Sequence, residues 1–229
     1  MICIGHRGAR GYAPENTLQS IELAIEQGAQ AIEIDVREHS GELFVIHDRF
    51  LERTTNGVGD FYQHDFAALQ QLDAGNGEVI PTLKQVIALI HRRVALNIEL
   101  KDVASVKPTL AVIDQFMEQG WTFDDFIISS FYHHALVEVK QSHPLIRVGA
   151  LCASVMVDYA KFAQDLQAWS INLCSESINQ ALIDDAHQRG LKVFVYTVND
   201  IRMFEQLLNM RVDGIFTDYP AKFIQWRDS

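Results

Sequence analysis

An apolar strand followed by an amphipathic helix recurs along this chain from end to end, and that alternation restricts its possible folds more than any other feature. Strand candidates are residues 2–5, 31–36, 95–100, 126–129, 146–151, 170–173, 192–198 and 214–216. A helix over about residues 14–27 sets Leu18, Ile21 and Ile25 on one face, with Pro14 in its first turn and Gly28 past its end. Another starts at Thr82, where Thr82 and Gln85 form a capping-box pattern ahead of Val86, Ile87 and Ile90. Val106, Leu110, Ile113 and Met117 before Gly120, and Leu182, Ile183 and Ala186 before Gly190, repeat the pattern. Eight strands alternating with helices predict an α/β fold, a (β/α)₈ TIM barrel, in which catalytic residues sit at the C-terminal ends of the strands. At 229 residues and 48% hydrophobic, the chain can bury such a core as one domain over 1–229.

Two segments break the alternation. Residues 43–47 read as a further strand, separated from the strand at 31–36 by only His39-Ser40-Gly41-Glu42. A parallel crossover needs roughly a dozen residues or more, so this strand must return antiparallel. With the turn centred between Ser40 and Gly41, His47 lies opposite Ile34 and ends beside Glu33 and Asp35. Residues 48–81 are too long for an ordinary loop, whose median is about 4 to 6 residues, and read as a small lid or subdomain inserted after the second barrel strand.

Three of the apolar strands carry charge where burial is expected. In a strand, residues i and i+2 share a face, so Glu33 and Asp35 point away from Ile32, Ile34 and Val36, while Asn97, Glu99 and Lys101 point away from Ile98 and Leu100. The first strand ends in Gly5-His6-Arg7-Gly8. Unpaired buried carboxylates cost several kcal/mol each, so a cation or a cluster of donors must compensate them. Glu33, Asp35 and Glu99 offer only oxygen ligands, which suit one hard divalent cation, Mg²⁺ or Ca²⁺; zinc more often recruits His or Cys. Arg7 and Lys101 add charge-assisted donors for an anionic substrate. His6 and His47, with ordinary pKa values of about 6.5, are the candidates for moving protons. Tyr196, on the penultimate strand near the barrel mouth, is a candidate for lining the substrate pocket.

The net charge of −11 excludes a broad nucleic-acid or anionic-membrane surface, because phosphate backbones are bound through many Lys and Arg contacts. Cys3, Cys152 and Cys174 are odd in number and lack metal-ligand spacing, as expected of reduced thiols in the cytoplasm. No run of about 18 apolar residues and no basic-then-apolar leader occurs, so neither membrane insertion nor export is expected. Oligomeric state leaves no mark on the sequence.

His6-Arg7-Gly8, Pro14-Glu15-Asn16-Thr17, Glu33-Ile34-Asp35-Val36, His47-Asp48, Arg53-Thr54-Thr55-Asn56-Gly57 and Ile98-Glu99-Leu100-Lys101 stand in an order and spacing that resembles the glycerophosphodiester phosphodiesterase family. Tyr196-Thr197-Val198-Asn199 and Phe216-Thr217-Asp218 extend the resemblance to nearly the whole chain, although many relatives carry Trp where Tyr196 stands. The resemblance implies a barrel with an insertion after the His47 strand, a divalent cation, and cleavage of glycerophosphodiesters to glycerol 3-phosphate and an alcohol. It further implies attack by the substrate's own hydroxyl through a cyclic phosphate; the residues themselves leave a metal-bound water equally open. Two other readings are a lysophospholipase D-like enzyme, which calls for a wide apolar mouth, and a catalytically silent phosphate-binding barrel.

Overall fold

The computed structural model describes all of residues 1–229. Nine strands, β1 Ile2–His6, β2 Ala31–His39, β3 Glu42–Val45, β4 Ala95–Leu100, β5 Phe126–Ser130, β6 Arg147–Cys152, β7 Ser170–Cys174, β8 Lys192–Tyr196 and β9 Gly214–Thr217, form one sheet. All but β3 run parallel, and the β1–β9 and β1–β2 pairings close them into an eight-stranded barrel. Nine helices run between and after the strands: α1 Leu18–Glu26, α2 Phe66–Leu69, α3 Leu83–Ile90, α4 Val106–Met117, α5 His133–Ser142, α6 Lys161–Asp165, α7 Gln180–Gln188, α8 Ile201–Asn209 and α9 Pro220–Arg227. The barrel is the (β/α)₈ fold predicted from the alternation.

The pleat sorts the side chains. Outward residues such as Ile32, Ile34, Ile98, Ile128 and Val193 join the main core between strands and helices. Inside, Ile4, Ala31, Phe194 and Phe216 form a separate apolar plug. The inward-facing residues nearer the C-terminal ends of β2 and β4 are polar, so the plug separates the future site from the N-terminal face.

β2 is longer than its apolar stretch because it serves two partners along one edge. Ala31, Ile32 and Glu33 pair with β1, whereas Val36 to His39 pair antiparallel with β3. Its other edge carries β4 from Ala31 to Val36. The β2–β3 register, Val36 opposite Val45 and His39 opposite Glu42, is the one expected from a turn at Ser40-Gly41. β1 must therefore leave the sheet at His6, and β3 hands over to His47 just where β1 ends.

One element starts later than its pattern suggests. α1 begins at Leu18 with Thr17 as N-cap, accepting from the Ser20 amide, and Pro14 lies outside the helix. The reason is tertiary: Asn16 takes a left-handed φ of 59° and is drawn inward, where its side chain donates to Asp35 Oδ2 at 2.9 Å. The capping box at Thr82 and Gln85 is present at the start of α3 as read. Within residues 48–81, Leu51, Phe61, Leu69 and Ile80 pack with Phe44 and Ile46 into a small apolar cluster apart from the main core.

The exit from β1 is a tight one. Arg7 (φ 53°) and Gly8 (φ 81°) both take left-handed conformations, and a Cβ on Gly8 would lie 2.5 Å from the Ser20 carbonyl carbon and 2.6 Å from its oxygen. Gly41 has nearly the same φ, 82°, with open space around it. Gly8→Ala is therefore expected to cost about 2 to 3 kcal/mol, and Gly41→Ala about 1 kcal/mol from backbone strain alone. In thermal denaturation that corresponds to a Tm loss of roughly 4 to 12 °C for Gly8→Ala. Equal losses for the two variants would show that crowding against Ser20 contributes nothing.

Candidate active site

The closed barrel brings three inward carboxylates together at its C-terminal end. Glu33 and Asp35 on β2 and Glu99 on β4 each place an oxygen within 4.8 Å of the others. Register explains this: Asp35 stands directly opposite Glu99, and Glu33 opposite Asn97. Glu33 and Asp35 are buried, and the Glu99 side chain is 12% exposed. Glu33 Oε2 accepts from the Arg7 amide at 2.9 Å, whereas Glu33 Oε1 is buried without a partner, as are Asn97 Oδ1 and Ser129 Oγ nearby. An all-oxygen triad with an orphaned carboxylate oxygen fits a hard divalent cation, so this chain has a place that could bind one.

Two cations compensate part of the charge. Lys101 Nζ donates to Glu99 Oε1 at 2.5 Å and to Asp35 Oδ1 at 3.2 Å. Arg7 Nε lies 3.1 Å from Asp35 Oδ2, and Arg7 Nη1 donates to Glu15 Oε1 at 2.6 Å. Burial works to raise Asp35, but Lys101 and Arg7 outweigh it and hold that carboxyl below its usual range. Glu33 goes the other way: burial, then repulsion from Asp35 and Glu99, pushes it well above the carboxylate range. Burial and Asp35 likewise raise Glu99, to about 7.

His6 and His47 both reach this place, and a carboxylate orients each ring. His6 Nδ1 is 2.7 Å from Asp218 Oδ1, and His47 Nδ1 is 2.5 Å from Asp48 Oδ1. In each case the second ring nitrogen, Nε2, is left for a substrate. Burial lowers both histidines below their ordinary value, partly offset by Asp218 for His6 and by Asp35 for His47. Asp218 is itself held by Asn199 Nδ2 at 2.8 Å and Arg10 Nε at 3.2 Å.

Most of these groups border one cavity of about 450 Å³. Its charged wall comes from His6, Arg7, Glu33, His47, Glu99 and Lys101, and the facing wall from Phe131, Leu151, Tyr196 and Phe216. Every residue singled out from sequence except Asp35 lines it directly; Asp35 sits beneath, tied to Arg7, Lys101 and Asn16. Tyr196 spends its hydroxyl on the Cys152 carbonyl at 3.2 Å, so it offers the cavity ring surface.

Sequence reasoning gave no role to Asp48, Asp218, Glu15 or Arg53. Asp48 is signalled by its place next to His47, and Asp218 by following the last strand. Glu15 and Arg53 carry no local sign: Arg53 grips both Glu15 oxygens at 2.8 Å and also pairs with Asp48. Burial works to raise Glu15, but Arg53 and Arg7 bring it down to about 2.

The model of the glycerophosphoryl diester phosphodiesterase family matches residues 6–222, which takes in every one of these groups. The chain belongs to this family. Among its relatives, a glycerophosphodiester phosphodiesterase of Caldanaerobacter subterraneus is 34% identical over 97% of this chain and 96% of its own. A phosphodiesterase of Oleispira antarctica, solved in complex with the product sn-glycerol-3-phosphate, is 34% identical, with a TM-score of 0.91 over 100% of this chain and 97% of that one. A glycerophosphodiester phosphodiesterase structure from Agrobacterium tumefaciens, 28% identical, gives a TM-score of 0.83 over 98% and 99%. No helix of this family member is long and apolar enough to cross a membrane.

The raised carboxyls give the phosphodiesterase fold a distinctive pH response. In cation-free protein, the stability tied to Glu99 is complete below about 4.5, its unfolded value, and is lost as pH rises through about 7. The lowered histidines act oppositely, but only below about 6.5. Thermal stability without divalent ions is therefore expected to fall from about pH 6.5 to 8. Added Mg²⁺ or Ca²⁺ should raise Tm more at about pH 8 than at pH 6, where protons compete for the same oxygens. A larger shift at the lower pH would contradict the assignment.

Proposed function

We propose that this chain hydrolyses glycerophosphodiesters to glycerol 3-phosphate and an alcohol, in a reaction that depends on one divalent cation, Mg²⁺ or Ca²⁺. The observation that carries this reading is the meeting of the Glu33, Asp35 and Glu99 oxygens, within 4.8 Å, with two carboxylate-oriented histidines in one cavity. The product complex of the Oleispira antarctica relative supports the same substrate class.

Glu33, Asp35 and Glu99 would hold the cation, which when bound supplies positive charge against the phosphoryl oxygens. Arg7 and Lys101, kept charged by the same carboxylates, stabilise the negative charge that grows on the phosphoryl group. Asp218 and Asp48 fix the histidine rings, so one Nε2 takes the proton of the attacking hydroxyl while the other gives a proton to the departing alkoxide. In this reading the attacker is the substrate's 2-hydroxyl: the Ser129 and Thr197 hydroxyls that line the cavity are hydrogen-bonded to neither histidine, and an intramolecular attack gains an effective molarity of about 10⁵ M or more over a free water. The P–O bond to the alcohol breaks as the ring P–O bond forms. Water then opens the cyclic phosphate, with the two histidines exchanging roles, to give glycerol 3-phosphate. The Tyr196 ring bears on the carbon portion of the substrate. Residues 48–81 act as a lid, tied to the site by Arg53 on Glu15 and by Asp48 on His47. The three cysteines are unpaired, which suits the reducing cytoplasm where we place the enzyme.

Phosphorus NMR over a panel of glycerophosphodiesters, with and without chelator, tests the reading. Turnover should vanish in chelator and return with Mg²⁺ or Ca²⁺; full activity after verified metal removal would sink it. His6→Ala and His47→Ala should each cost roughly 10²- to 10⁴-fold in kcat with the circular-dichroism spectrum unchanged. A substrate with hydrogen in place of its 2-hydroxyl should bind and turn over very slowly, whereas equal rates would assign the attack to water.

A further inference from the structure

Seven buried side-chain nitrogen and oxygen atoms in this protein have no hydrogen-bond partner, and four of them belong to residues that line the catalytic cavity: Arg7 Nε, Glu33 Oε1, Asn97 Oδ1 and Ser129 Oγ. Two of the four have an evident role. Arg7 Nε faces Asp35 Oδ2 at 3.1 Å, and Glu33 belongs to the carboxylate triad. Asn97 and Ser129 have none, although they are only 2% and 0% exposed and a buried polar group left unpaired is destabilising. Their neighbours are satisfied: Ser130 Oγ donates to the Leu100 carbonyl at 2.7 Å, and Ser170 Oγ donates to Asn172 Oδ1 at 2.9 Å. On these strands the deficit falls on the side chains that face the cavity.

Register places the pair at the floor of the cavity. Asn97 stands opposite Glu33, and Ser129 opposite Glu99. Asn97 lies two residues before Glu99 on β4, one pleat repeat or roughly 6 to 7 Å deeper in the barrel. Ala95, the next inward residue of β4, already packs against the apolar plug of Ile4, Ala31, Phe194 and Phe216. A partner for Asn97 and Ser129 must therefore come from the cavity side, carried by whatever fills it. The chemistry of the pair narrows the choice. An amide and a hydroxyl each donate and accept, and both are neutral. Glu33 and Glu99 alongside repel an anion, so the phosphoryl group belongs with Arg7, Lys101 and the cation. What matches the floor is a neutral group that itself both donates and accepts, a hydroxyl.

A glycerophosphodiester has two free hydroxyls. The 2-hydroxyl is consumed at phosphorus, which leaves the terminal one, on the carbon farthest from the phosphate. We propose that Asn97 and Ser129 bind this terminal hydroxyl, which donates to Asn97 Oδ1 and accepts from Ser129 Oγ, and that they thereby select glycerol as the alcohol retained on the phosphate. This rests on the hydrolase reading above and assigns the residues that set its selectivity. The pair touches no reacting atom. It acts by fixing the far end of the glycerol, so that the 2-hydroxyl is held near phosphorus, and by penalising diesters that lack the terminal hydroxyl and leave both side chains unpaired.

The test compares choline release from glycerophosphocholine and from the choline phosphodiester of propane-1,2-diol, which keeps the 2-hydroxyl and lacks only the terminal one. Wild type, Ser129→Ala and Asn97→Leu are assayed at saturating Mg²⁺ and, separately, Ca²⁺. Titration calorimetry measures in parallel how each cation-loaded protein binds glycerol 3-phosphate and propane-1,2-diol 1-phosphate. The wild type should prefer glycerophosphocholine by roughly 10²-fold or more in kcat/KM, and each variant should cut that preference by about tenfold or more, with the two phosphates following the same order. Ser129→Ala removes a single oxygen and carries the test if Asn97→Leu fails to fold. Equal wild-type rates on the two diesters would overturn the assignment and leave the hydrolase reading standing. Variants that keep the wild-type preference, as expected if the pair holds only water, would overturn it too. So would equal losses on both diesters, as expected if the pair serves the fold or the cation. Inactivity on both diesters, with cation present, falls on the hydrolase reading, and the calorimetry then decides the floor: the assignment fails unless the wild type binds glycerol 3-phosphate more tightly than propane-1,2-diol 1-phosphate.

Discussion

Three carboxylates share one small volume inside this barrel, and only two cations, Arg7 and Lys101, pair with them directly. Like charges about 4 Å apart repel by roughly 4 kcal/mol even at an effective dielectric of 20, so the arrangement stands only because its neighbours are organised around it. Arg7 accepts a left-handed backbone, which aims its amide at Glu33 and its guanidinium at Asp35. Asn16 leaves the helical pattern to bond Asp35, and α1 starts later as a result. Lys101 follows β4 directly and caps Glu99. The strain that remains falls on Glu33, whose carboxyl is pushed well above its usual range and whose Oε1 has no partner; a cation bound there would take the place of the proton.

The histidines depend on a different constraint, the shared edge of β2. β1 pairs with its first three residues and β3 with its last four, so two chain segments of opposite direction end close together. His6 arrives from one and His47 from the other. A run of ion pairs, Arg7 to Glu15 to Arg53 to Asp48 to His47, then links residues 48–81 to both the carboxylate cluster and the His47 ring. Arg53 is half exposed, so these pairs add little stability; what they supply is placement.

Polar and apolar functions divide by strand. β1, β2, β4 and the end of the β3 hairpin build the charged wall, whereas β5, β6, β8 and β9 contribute Phe131, Leu151, Tyr196 and Phe216. The apolar plug of Ile4, Ala31, Phe194 and Phe216 beneath them closes the barrel off from its other face. The charged and apolar walls of the cavity thus come from different strands of the same barrel.

Much of this was legible in the chain before folding. Period-2 alternation put Glu33, Asp35 and Glu99 on inward faces, the short Ser40-Gly41 turn determined the β2–β3 register, and Thr82 with Gln85 marked the start of α3. These are signals that a strand, a turn or a first helical turn carries within a few residues. Contacts between distant segments had no such signal. His6 meets Asp218 across 212 positions only because β9 closes on β1, and Arg53 reaches Glu15 only because residues 48–81 fold back over the β1 exit. Local periodicity determined which face of each element is buried; closure of the barrel decided which buried and exposed groups meet, because that depends on distances no stretch of sequence contains.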